Sequence, residues 1–185
     1  MSARIHRSSQ DSKTEILNAA LEVLKRSGAQ SLTIDAVAEE SGFSKGGVLY
    51  NFSTKDALIR GMVEYLAHQF EEELAAAKER NQSSLSPTLS AMIDVTEGWL
   101  SAQRDVAQAL LATKVDQPDL VQPFMDAMNR AKAAIEVEMD DKGKAWAIWA
   151  CLDGLHFSQA HCVSLFSDED RNAVFAELRQ RLRKD

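Results

Sequence analysis

The chain has 185 residues, 45% of them hydrophobic and 26% charged, with 8 Gly, 3 Pro and 2 Cys. That balance excludes collagen-like, disulfide-scaffold and disordered chains and leaves room for one or two domains with a core of their own. The net charge of -7 is uneven: residues 1–60 hold 8 Lys and Arg against 7 Asp and Glu, residues 61–185 hold 13 against 21, so an acidic total does not exclude a basic N-terminal face.

In chain order, Ser12 and Glu15 form a capping-box pattern ahead of Ile16, Leu17, Ala20, Leu21 and Leu24, an apolar stripe that predicts a first helix ending at Gly28. Thr33 is placed to cap a short second helix over 34–41, stopped by Gly42. Ser44 is placed to cap a third over 45–51, and Ser53 with Asp56 a long fourth toward Arg80. Pro87 suits the first position of a fifth helix, which carries Leu89, Met92, Ile93, Trp99 and Leu100. A sixth is expected over about 104–114, and a seventh after Pro118 and Pro123, broken by Asp140, Asp141 and Gly143. The eighth is expected from about Lys144 to Phe166, and Ser167 with Asp170 cap a ninth. No strand pattern competes. The expected fold is therefore all-α with about nine helices: an N-terminal three-helix helix-turn-helix domain over 1–60, joined by a long helix to a helical domain over 61–185.

Residues 31–58 carry the most information. Helix, tight glycine turn, short helix and further helix make the plan whose second element enters the DNA major groove. Gly46 and Gly47 stand in the first turn of that short helix, where each costs about 1 kcal/mol relative to Ala. Missing side chains let a helix end press against base edges and phosphates. The plainer alternative is that the two glycines mark a loop. Lys45 and Lys55 flank the segment and Tyr50 and Asn51 close it, a mixture that suits phosphates and bases, with Arg4, Arg7 and Lys13 as further cations. Tyr50 could instead pack against the first helix. Phe43, Val48, Leu49 and Phe52 read as core.

From Thr14 to Leu58 the segments TEILNAALEVLKRSG, TIDAVAEESGFSKGGVLYNF and STKDAL resemble the N-terminal domain of the TetR family of transcriptional regulators. The resemblance implies that Thr33, Ser44, Tyr50 and Lys55 hold phosphates and that Lys45, Gly46, Gly47 and Asn51 face the groove. It also implies a homodimer on a palindromic double-stranded operator, acting as a repressor, with a small-molecule effector bound in the second domain.

On the eighth predicted helix, Trp146, Trp149, Ala150, Asp153, His156 and Phe157 share a broad face beside a strip of small residues, Ala147, Cys151, Gly154, Ser158 and Cys162. The strip and the ninth helix are the expected dimer seam, with intrachain packing as the alternative. Asp153 among aromatic residues calls for a partner, and His156 at i+3 is one. Either they form a structural pair or an exposed edge of the helix, or they are polar anchors of an effector cavity whose walls include Trp99, Phe124 and Met128, with Trp149 as a further effector-binding residue.

Cys151, His156 and His161 step by five residues, about 140° apart on a helix, and Cys162 directly follows the last, so no metal site is expected. No phosphate loop, nucleophile elbow or HExxH sequence is present, so neither a catalytic site nor a cofactor is expected. The apolar run 145–152 is too short for a membrane span, and no secretory signal precedes it, which predicts a cytoplasmic protein with reduced thiols. The competing function is a helical small-ligand-binding or catalytic protein without DNA-binding activity.

Overall fold

A computed structural model of the chain describes residues 9–102, 118–160, 163 and 166–184. Among the described residues there are eight α-helices and no strand: α1 (Ser9–Ser27), α2 (Ile34–Ser41), α3 (Lys45–Asn51), α4 (Lys55–Arg80), α5 (Pro87–Ala102), α6 (Gln122–Glu138), α7 (Lys142–Ala160) and α8 (Asp168–Arg181). Short 3-10 turns at Ala29–Ser31 and Pro118–Val121 precede α2 and α6. The sixth predicted helix, together with Arg4, Arg7, His161 and Cys162, lies outside the described residues.

The N-terminal helices are set by local chemistry. The stripe Ile16, Leu17, Ala20, Leu21 and Leu24 is buried, and α1 ends where Gly28 turns left-handed at φ 73° and donates its N–H to the Leu24 carbonyl at 2.8 Å. Thr33 caps α2, its hydroxyl oxygen accepting from the Ala36 N–H at 3.1 Å, and Gly42 at φ 71° closes it. Ser44 caps α3 in the same manner through the Gly47 N–H at 3.1 Å. Val37, Val48 and Leu58 pack fully buried against the α1 stripe, each contributing about 1.5–3 kcal/mol by leaving water.

Two caps differ from the sequence-based expectation. Helix α1 already runs from Ser9, so Ser12 lies inside it and does not open it. The oxygen that opens α4 belongs to Thr54, which accepts from the Ala57 N–H at 3.0 Å, and not to Ser53. A threonine one residue closer to the apolar stripe reaches the free N–H groups directly.

In the rest of the chain Leu89, Ile93, Ile135, Ile148, Leu152 and Leu182 form a core of fully buried side chains. Pro87 opens α5 as expected. Gly143 falls in the first turn of α7 and not in the break before it, and α7 stops at Ala160, with Phe166 exposed outside any helix. The Glu138 carboxylate ties three helices at one end of this layer. It accepts from the Ser86 hydroxyl at 2.6 Å, the Thr88 N–H at 2.9 Å and the Thr88 hydroxyl at 2.7 Å, and pairs with Lys78 at 2.8 Å. Ser167 and Asp170 form a reciprocal capping box on α8, and the Leu182 carbonyl beyond it accepts from the Leu85 N–H at 2.8 Å. Arg179 on α8 bonds both Asp94, at 2.8 Å, and Glu97 on α5.

Candidate functional site

Helices α2 and α3 stand on either side of the Gly42 turn, with Thr33 at the start of one and Ser44 at the start of the other. Their caps are satisfied within the chain, so the outward surface is set by the helical residues after each cap. On α3 the Val48 side chain faces the core while Lys45, Gly46 and Tyr50 face out, Tyr50 at 88% exposure. Tyr50 therefore does not pack on α1. Leu49, expected in the core, is also exposed, because a seven-residue helix needs only Val48, followed by Phe52, to hold it down.

The two glycines of α3 answer to no demand of the fold. Both have ordinary helical φ, and a Cβ on Gly46 would meet nothing nearer than the Ser44 hydroxyl at 3.9 Å. At Gly47 the nearest neighbours, Ser44 Oγ at 3.4 Å and Phe43 Cδ1 at 3.5 Å, are ordinary contacts. Both glycines give up helix propensity where the fold would accept a side chain.

Lys45 Nζ pairs with the Asp35 carboxylate of α2 at 2.9 Å, both side chains being exposed. Lys55, the first residue of α4, is exposed as well. Asn51, expected on the groove face, is half-buried, and its amide donates to the Gly47 carbonyl at 2.9 Å. It lines a cleft of about 680 Å³ that includes Lys13, Asp56 and Arg60 on one side and Asp119 and Leu120, just before α6, on the other. Gly61 in the wall of that cleft is a residue that sequence reasoning missed. A Cβ there would stand 2.6 Å from Phe52 Cε1, and a lone glycine inside a strong helical pattern is the signal for such an approach.

Of the residues expected around an effector, three come together. Trp99, Phe124 and Met128 form one cluster with Phe70, the Trp99 ring lying edge-on to Phe70 at 5.9 Å and tilted against Phe124 at 6.3 Å. Phe70 and Phe124 are 5.5 Å apart, within the range of favourable ring pairs. The Trp99 indole N–H donates to Glu73 of α4 at 2.8 Å. Neither Phe70 nor Glu73 stands out in the sequence, since both sit on a helix whose pattern reads only as amphipathic. Trp99 also packs against the cluster that the N-terminal helices build with α4, so one ring belongs to both apolar clusters.

The other three separate. Trp149 pairs edge-on with Trp146 at 6.2 Å against the core of α5, α6 and α7, and Lys132 lies 5.6 Å over the Trp146 ring. Asp153 is exposed, which fits the helix-edge alternative and not a buried anchor. His156 is half-buried, faces α5, and has Thr96 Oγ1 at 3.3 Å as a partner; burial pushes its imidazole below the ordinary value of 6.5, toward the neutral form. The outer side of α7 exposes Ala147, Ala150, Gly154 and Phe157, while burial raises the thiol of half-buried Cys151. Among the described residues no group of three or more His, Cys, Asp or Glu side chains could hold a metal ion, and no helix is long and apolar enough to cross a membrane.

Residues 16–62 match the family model of bacterial regulatory proteins of the tetR family, and residues 86–183 match the tetracyclin repressor-like C-terminal domain. The uncharacterized HTH-type transcriptional regulator YfiR of Bacillus subtilis (strain 168) is 36% identical over 111 residues, covering 60% of this chain and 52% of that protein. The match thus spans about half the length of that relative. Among solved structures, a TetR-family transcriptional regulator from Mesorhizobium loti MAFF303099 superposes with a TM-score of 0.71 at 14% identity, covering 95% of this chain and 97% of that one. The multidrug binding protein EbrR complexed with malachite green superposes with a TM-score of 0.67 at 20% identity, covering 93% and 98%. These two likenesses concern the fold.

Proposed function

The chain belongs to the TetR family of bacterial regulatory proteins, and from that premise we propose that it is a cytoplasmic homodimeric repressor whose hold on a palindromic operator responds to a small molecule. The observation that carries the reading is α3, a helix with two glycines that the fold does not require, an exposed tyrosine and a lysine, held by a capped turn. Residues 1–60 act as the DNA-binding domain and residues 61–185 as the effector-binding and dimerisation domain. Thr33, Ser44, Tyr50 and Lys55 hold phosphates, and Lys45, Gly46 and Gly47 approach the base edges. Asn51, bonded to its own helix, braces α3 at its far end.

The exposed small residues of α7, with α8 beside them, form the subunit seam, and two copies about a two-fold axis present their α3 helices to half-sites about 34 Å apart. EbrR is solved with malachite green and with ethidium, both aromatic molecules. A related occupant here would meet Trp99, Phe124 and Met128, with His156 and Thr96 at the α5–α7 contact. Trp149 supports that wall from the adjoining core, and Asp153 belongs to the exposed face of α7.

Fluorescence anisotropy with a labelled random-sequence duplex tests the central claim. Binding should weaken steeply with salt, and Lys55→Ala should flatten the slope of log K against log salt by about one. Absence of salt-dependent duplex binding would favour the helical ligand-binding reading instead.

A further inference from the structure

Asp35 and Lys45 lie ten residues apart, on different helices, and meet across the turn at 2.9 Å. Each charge has a separate bearing on its helix. A carboxylate in the first turn of α2 suits the positive end of that helix, whereas Lys45 stands at the first position of α3, where a cation opposes the helix dipole. Lys45 is therefore not placed there to stabilise α3. The pair itself, with both side chains more than half exposed, adds little to the stability of the fold. The reason for the pair is then to be sought on the surface it occupies, between Thr33 and Ser44.

On that surface the two charges act oppositely. Lys45 attracts phosphates and base acceptors, and Asp35 repels any phosphate held nearby. Resting on the DNA-binding reading above, we propose that Asp35 is a specificity-determining residue that masks Lys45 from duplexes of arbitrary sequence. Trading a carboxylate partner for a phosphate gains a random duplex little, because one charged acceptor replaces another. On the operator, base contacts seat α3 in the groove, Lys45 meets its base or phosphate in fixed register, and the exchange becomes favourable. Asp35 lowers affinity everywhere, but it lowers non-specific affinity more.

The test measures two duplexes with wild type, Asp35→Asn, Lys45→Ala and the double variant. One is a random-sequence duplex of about 30 base pairs, long enough for the two half-sites of a dimer one helical turn apart, and the other is a duplex selected by the wild-type protein from a random pool. Asp35→Asn should raise affinity for the random duplex about threefold to tenfold and steepen its salt slope by about one, with a smaller rise for the selected duplex. The ratio between the two should fall. In the Lys45→Ala background Asp35→Asn loses only its direct repulsion of phosphate, so both values should change clearly less than they do with Lys45 present. An unchanged ratio and slope in the single variant overturns the proposal, and so does an equal gain with and without Lys45, which would reduce Asp35 to a general repulsive charge. Weaker binding of both duplexes by Asp35→Asn overturns it as well. If wild type binds no duplex at low salt, the DNA-binding reading itself fails, a result distinct from each of these.

Discussion

Phe52 seats its ring against the backbone of Gly61, so closely that a methyl group on Gly61 would stand 2.6 Å from Phe52 Cε1. Phe52 is the residue that ends α3, and Gly61 lies nearly two turns into α4, so the contact fixes how α3 leans on the long helix. Gly61→Ala should force the ring to move and destabilise the protein by about 1–3 kcal/mol despite its better helix propensity. Chemical denaturation gives the stability change. A variant as stable as wild type would mean that the ring has room that the contact denies.

Gly46 gives the opposite outcome. Its Cβ position is open, so Gly46→Ala should stabilise α3 by up to about 1 kcal/mol while weakening DNA binding. Melting temperature and duplex affinity measured on one preparation should move in opposite directions. Unchanged affinity would remove Gly46 from the contact surface.

Glu138 makes stability depend on pH. Burial alone would raise its carboxyl, but hydrogen bonds from Lys78, Ser86 and Thr88 outweigh burial and hold it below the ordinary value of 4.5. A depressed folded value means that the contribution is complete above about 4.5 and disappears as pH falls through the folded value. Glu138→Gln should cost on the order of 1–3 kcal/mol at neutral pH. The stability curves of the two proteins should converge in acid, and curves that stay parallel from neutral pH down to well below the ordinary carboxyl range would count against the assignment.

The outer side of α7 predicts association. Gly154 is exposed with nothing within 4 Å of its Cβ position, so Gly154→Arg meets no obstacle inside one subunit. Wild type should sediment as a dimer at micromolar concentration and the variant as a monomer of the same helical content. A dimeric variant would move the seam elsewhere.

What could be read from sequence was what short-range chemistry decides. Thr33 and Ser44 cap their helices because a hydroxyl at that spacing reaches the free N–H groups whatever the rest of the chain does. Leu49 misleads because apolar character does not amount to burial on a helix too short to bury more than one side. At Asp153 the sequence leaves a helix edge and a buried anchor both open. The stripe that α7 buries is Ala145, Ile148, Leu152 and Leu155, and the tryptophans lie at its margin, so a carboxylate between them is at the surface. The Glu73 to Trp99 hydrogen bond joins residues 26 positions apart on two helices, where no local periodicity could reveal it. The Asp35 and Lys45 pair is hidden in the same way, by a turn whose angle no residue pattern encodes.

Trp99 packs on both the cluster that the N-terminal helices build with α4 and the aromatic cluster of the body. An engineer who grafts the first sixty residues of another regulator onto this body will import a core that never met this indole. Such a hybrid should fold in each half and still lose its response to effector, unless the imported helices leave the same footprint for the ring. The unit of exchange is then not the head alone but the head together with the stretch of α4 whose Met62, Tyr65 and Leu66 share a cluster with it and with Trp99, and a library that varies those positions is the place to restore communication.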